Sequence, residues 1–156
     1  MAKQRSVPVR CLAFLSMMMP FAGFQSRAGA EELLAGNDQQ RIQGTWLCIA
    51  TLNDGKQVTK YVGVRAVMQG NRLTWFFPQP DGKMQTTEAL FQIDVSQNPK
   101  HFDWYLKQKS DQIHKRLYIL EDDVLIWSTN LGTEDRPESF STGRWQFVMK
   151  RLVQRN

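Results

Sequence analysis

Cysteine and histidine are nearly missing from this chain, with two of each in 156 residues. The cysteines, Cys11 and Cys48, allow at most one disulfide and provide no CxxC pair for zinc or thiol exchange. No Ser-His-Asp order, phosphate-binding glycine loop or pair of glycosidase-like carboxylates can be assigned, so no catalytic residue and no cofactor are read from the sequence. Long apolar runs are lacking as well. The Cys11–Phe24 stretch falls short of the roughly 20 residues that cross a bilayer as a helix. There is no internal repeat and no low-complexity linker, and the length suits one domain. The apolar residues present are mainly Trp, Phe, Leu, Ile and Val, enough to hold a domain by its core without a disulfide.

The first thirty residues stand apart. Lys3, Arg5 and Arg10 form a basic region, an apolar, Met-rich stretch comes next, and Ala28-Gly29-Ala30 supplies a small-residue cleavage pattern ahead of Glu31. That order reads as a secretory signal peptide over residues 1–30, with the domain at 31–156 and an extracytoplasmic (periplasmic or secreted) location. Cys11 follows Val9-Arg10, which is not a lipoprotein signal. Four of the 20 basic side chains and none of the 15 acidic ones fall in this segment, leaving 16 against 15. The basic pI of the whole sequence is therefore no argument for nucleic-acid binding, which needs a basic patch on the folded domain. Cys48 is then the sole cysteine. It alternates with Trp46 and Ala50 and has no basic neighbour in sequence, so it reads as a buried, inert thiol.

Past a short expected helix, Glu31–Ile42, the hydrophobic period changes to two. Trp46, Cys48, Ala50 and Leu52 alternate with Thr45, Leu47, Ile49 and Thr51, and Asn53-Asp54-Gly55-Lys56 is a tight hairpin turn. Further strands are expected at Val62–Met68, Arg72–Phe77, Thr87–Val95, His101–Lys107, His114–Leu120, Val124–Thr129 and Trp145–Leu152. Ala89, Phe91, Ile93 and Val95 share one face of their strand, as do Phe102, Trp104 and Leu106 of theirs. No helical period occurs after Ile42. About eight strands in meander order point to an all-β, antiparallel up-and-down barrel, the count at which a sheet can close on itself.

The polar constellations admit structural readings beside functional ones. His101, Asp103 and His114 could hold a metal only if they converge on one point; as residues near strand ends they are surface groups, and no metal site is assigned. Arg136, fixed beside Pro137, could take a carboxylate ligand at the barrel mouth through its planar fork. Alternatively it pairs with an acidic loop residue while Phe140 plugs one end of the core. Glu121-Asp122-Asp123 lacks the oxygen-rich spacing of a calcium loop and reads as a solvated hairpin tip. Trp75-Phe76-Phe77 is apolar on both faces: Trp75 and Phe77 fill the interior and Phe76 faces out, or the reverse. Trp75 and Trp104, with Arg136, are the candidate ligand-binding residues.

The chain also resembles a known family. Gln43-Gly44-Thr45-Trp46 opens the first strand. Then come, in order, Asp54-Gly55-Lys56, Asn98-Pro99-Lys100 with Phe102-Asp103, Leu117-Tyr118 with Asp123-x-Leu125, Arg136-Pro137-x-x-Phe140 and the closing Lys150-Arg151. This set, over residues 38 to 152, resembles small exported domains of unknown function abundant in planctomycete-type bacteria and described as lipocalin-like. The resemblance implies the fold and export, and brings no catalytic residue. Three features depart from it: Asp122 stands at the family's glycine, Trp127 falls near a frequent cysteine, and Ser110-Asp111-Gln112 replaces a glycine-rich loop.

Two function classes remain. One is a non-catalytic module that binds a small apolar or amphipathic ligand. The other is an envelope-associated module with a filled core that meets another exported protein. Fold alone does not choose between them; the interior volume does. At the barrel's ends, Trp145, Phe147, Met149 and Arg151 alternate onto one inward face. Arg151 is therefore expected over the indole of Trp46, and Gly44, Trp46 and Arg151 are given structural roles.

Overall fold

The computed structural model describes residues 38–132 and 135–153. The expected signal peptide and most of the expected Glu31–Ile42 helix lie outside the described residues; a helical turn at 38–41 is what is described of the latter. Nine strands are present among the described residues: β1 (Gly44–Asn53), β2 (Lys56–Val58), β3 (Arg65–Gln69), β4 (Arg72–Pro78), β5 (Met84–Asp94), β6 (Lys100–Leu106), β7 (Lys109–Glu121), β8 (Val124–Thr129) and β9 (Trp145–Arg151). Each of β3 to β8 pairs antiparallel with the next, and β1 pairs with both β3 and β9. The result is a closed, eight-stranded antiparallel barrel in meander order.

Local chemistry sets the turns. Asp54 and Gly55 both take positive φ, 48° and 73°, the conformation whose twist matches a two-residue hairpin. Asp122, at the hairpin tip between β7 and β8, also sits at positive φ, 44°.

The structure corrects several expected strands. β2 was not expected; it pairs with Thr51–Asn53 of β1, while β3 pairs with Gly44–Leu47 of the same strand. Between them Val62 and Gly63 form a turn, with Val62 N–H donating to Thr59 O at 3.1 Å and Gly63 N–H to Cys48 O at 2.9 Å. The third strand therefore starts at Arg65 and not at Val62. Ser110-Asp111-Gln112 belongs to β7 and is no loop. In β1 the register with β9 shifts between Cys48 and Ala50. A bulge adds one residue to a strand and reverses the facing of the residues beyond it. Thr51, and not Ala50, is consequently the next fully buried residue after Cys48.

Trp75 and Phe77 turn inward, and Phe76 lies outside beneath the Arg65 guanidinium, 5.4 Å from its ring centre. The barrel's lower half is solid. Trp46, Met68, Leu73, Phe102, Leu125 and Met149 are buried there to 1% exposure or less, and Phe91 stacks on Phe102 at 5.2 Å.

Candidate functional site

The upper half of the barrel is hollow. A cavity of about 460 Å³ opens between β4, β5, β6, β7 and β9, its floor set by Cys48, Trp75 and Met149 and its rim by Phe77, Gln85, Leu106 and Leu131. Tyr61, from the turn between β2 and β3, also lines it and packs edge-on to Trp145 at 5.5 Å and against Phe147 at 5.3 Å. Among the described residues no aspartate or glutamate contributes to the lining.

One charged residue does. Arg116 of β7 is 4% exposed, and its guanidinium carbon lies 5.4 Å from the ring centres of Trp75 and Trp104, 5.1 Å from Trp127 and 5.5 Å from Phe147. Its Nε and Nη1 have no hydrogen-bond partner, and among the described residues no carboxylate pairs with it. Burial strips water from the charged form and lowers its pKa to about 9, opposed only by Tyr61. The group is still a cation at neutral pH. Burying an uncompensated charge is costly, and the aromatic faces offset part of it, each by about 0.5–2 kcal/mol. The indole N–H groups of Trp75, Trp104 and Trp127 are buried without acceptors as well. The heart of the barrel is therefore rich in donors and poor in acceptors.

Trp75 and Trp104, expected from the sequence as ligand-binding residues, both line this cavity. Arg136 does not. It lies on the outside of the barrel, where Nη2 donates to both carboxylate oxygens of Asp103 at 2.7 and 2.9 Å and Nη1 donates to Arg116 O at 2.5 Å. Its partner is a residue of β6, not of a loop. Phe140 is outside the core; its carbonyl accepts from Gln146 Nε2 at 2.8 Å and from Ser128 Oγ at 3.3 Å. This segment straps the outer face of β6 to β9.

The two histidines and Asp103 do not converge. His101 pairs across to Asp94 on the face opposite Phe102, Asp103 holds Arg136, and His114 stacks on Trp104 inside the barrel at 4.0 Å. Arg116 carried no notice in the sequence. The signal was parity, since Arg116 shares its face with His114, Tyr118 and Leu120; Leu117 and Ile119 on the other face hid it.

At the opposite end the floor is bolted shut. The Arg151 guanidinium carbon lies 4.2 Å from the centre of the Trp46 ring. Its Nη1 donates to Gln43 O at 2.6 Å, its Nη2 to Arg41 O, and its Nε to Asp123 Oδ1 at 3.1 Å. Trp46 Nε1 donates to Ile42 O at 2.9 Å. Gly44 has φ 113°, and a Cβ there would lie 3.2 Å from Arg151 Nη1. Asp38 completes the floor, accepting from Lys100 Nζ at 2.7 Å and from the Tyr118 hydroxyl at 2.9 Å.

No protein-family model matches the chain, and no curated protein does. A solved structure does: a lipocalin-like protein from Bacteroides uniformis, 10% identical, with a TM-score of 0.53 over 72% of this chain and 99% of that one. At that identity the likeness is one of fold.

Proposed function

We propose that this chain is a non-catalytic binding module that holds a small apolar or amphipathic ligand in the upper half of its barrel, outside the cytoplasm. The observation that carries the reading is the 460 Å³ cavity with its aromatic lining, within the usual size of small-molecule sites. The lipocalin-like fold of the similar Bacteroides protein supports it. The ordered basic, apolar and small-residue regions of residues 1–30 support export. The alternative, an interaction module with a filled core, needs a solid interior, and only the lower half is solid.

Native mass spectrometry of the protein purified without detergent is expected to find a co-purifying small molecule. After stripping, the protein should bind the neutral apolar dye N-phenyl-1-naphthylamine with a fluorescence rise. Replacing Thr87 in the lining by Trp should suppress that rise while the melting temperature holds. A stripped protein that takes up no apolar probe would end this reading.

A further inference from the structure

The cavity is not neutral. Among the described residues Arg116 is the one Arg or Lys in its wall; it has no carboxylate partner there and is held by the faces of Trp75, Trp104, Trp127 and Phe147. A guanidinium so placed serves poorly as a structural part: two of its nitrogens are unbonded, and leucine or methionine would fill the same space without a charge to bury. What the arrangement does provide is a planar fork of donors at the inner end of an apolar chamber.

We propose that the ligand is an organic monoanion, a carboxylate whose head meets Arg116 and whose apolar body of about ten carbons fills the chamber toward its rim. This rests on the ligand-binding reading above and gives it a chemical class. Size is set by the volume. Water occupies roughly 30 Å³ per molecule in the liquid, so 460 Å³ takes about fifteen such groups close-packed and fewer as a flexible chain. Charge is set by Arg116, the one Arg or Lys among the described lining residues. One cation without a carboxylate neighbour matches one negative charge, whereas a phosphate monoester carries nearly two near neutral pH and would leave one unmatched. Orientation is set by the rim, where Phe77, Leu106 and Leu131 are apolar and suit a hydrocarbon tail.

The test displaces N-phenyl-1-naphthylamine from the stripped wild-type protein with decanoate, decan-1-ol and decyl phosphate at pH 7. A charge-assisted hydrogen bond in a desolvated site is expected to make decanoate at least tenfold tighter than the alcohol, with the phosphate weaker than decanoate. In Arg116→Met the alcohol should bind as before and the preference for the acid should vanish. Should that variant not fold, the Arg116 Nε–H resonance of the wild-type protein provides a second measure: it should move on adding decanoate and stay put with the alcohol. Equal affinity for acid and alcohol, an unmoved resonance, or a tighter phosphate would overturn the carboxylate assignment and leave the binding module standing. Dye uptake failing altogether would instead remove the module itself.

Discussion

Arg116 and Arg151 face the same problem, a cation against aromatic rings, and solve it differently. Arg151 commits its donors to Gln43 O, Arg41 O and Asp123, while Arg116 keeps at least two of its nitrogens unbonded. The first is therefore a fastener, and the second keeps donors free for the carboxylate proposed above. Arg151→Ala should remove one cation–π contact and three hydrogen bonds, costing about 2–4 kcal/mol, seen as a lower denaturant midpoint. Affinity for an apolar probe should be unchanged in the folded fraction, since Arg151 does not line the cavity. This end of the molecule was legible: Trp46 and Arg151 fall on inward positions of the first and last strands, and a closed barrel makes those strands neighbours. Arg116 was not, because β7 is apolar on both faces at Leu117 to Leu120. Leu117 is 1% exposed although it lies on the face opposite Arg116 and Tyr118. Alternation reads one buried face from one wet face, and it is silent where both are covered.

At the scale of elements, the turns were the most legible parts and the irregularities the least. Asp54-Gly55 announces a hairpin because glycine readily takes positive φ. The bulge between Cys48 and Ala50 has no such marker, and one inserted residue was enough to exchange the facing of Ala50 and Thr51. Arg136 was misplaced for a related reason: its partner Asp103 is 33 residues away, a distance that spacing does not encode. The tip between β7 and β8 offers a test with an unusual sign. Asp122 holds φ 44°, a left-handed conformation that costs a side-chain-bearing residue about 1–2 kcal/mol. Asp122→Gly should thus stabilise the protein by about 1 kcal/mol despite the greater freedom glycine gives the unfolded chain. Thermal melting of the variant beside the wild type decides it, and a lowered midpoint would count against the turn's assigned strain.

For the molecule as a whole, eight strands closing on themselves were legible from the meander of short strands. The division into a solid floor and a hollow upper half was not, since composition gives the aromatic residues but not their layer. The floor has a pH signature. Burial, and then the hydrogen bond to Asp38, raise the Tyr118 pKa above its ordinary value. With the folded value above the unfolded one near 10, this contribution is present below pH 10 and is lost as pH climbs through the folded pKa. Stability should fall in strongly alkaline solution. Tyr118→Phe should be less stable at pH 7, by about 1–2 kcal/mol for the lost hydroxyl. Its decline above pH 10 should be shallower, so the two curves converge in denaturation measured across that range.

The pairing of β1 with β9, from Trp46 opposite Arg151 to Asn53 opposite Trp145, also dictates an order of events during synthesis. The first strand to emerge must wait for the last, so the hoop cannot close before residue 151 has left the ribosome. Until then the sheet is an open ribbon with two free edges, exposed to pairing with other chains, and dominated by a closure that is slow because it joins distant segments. Such a chain stays open until β9 has been made, and it closes in one step that joins two strands distant in sequence.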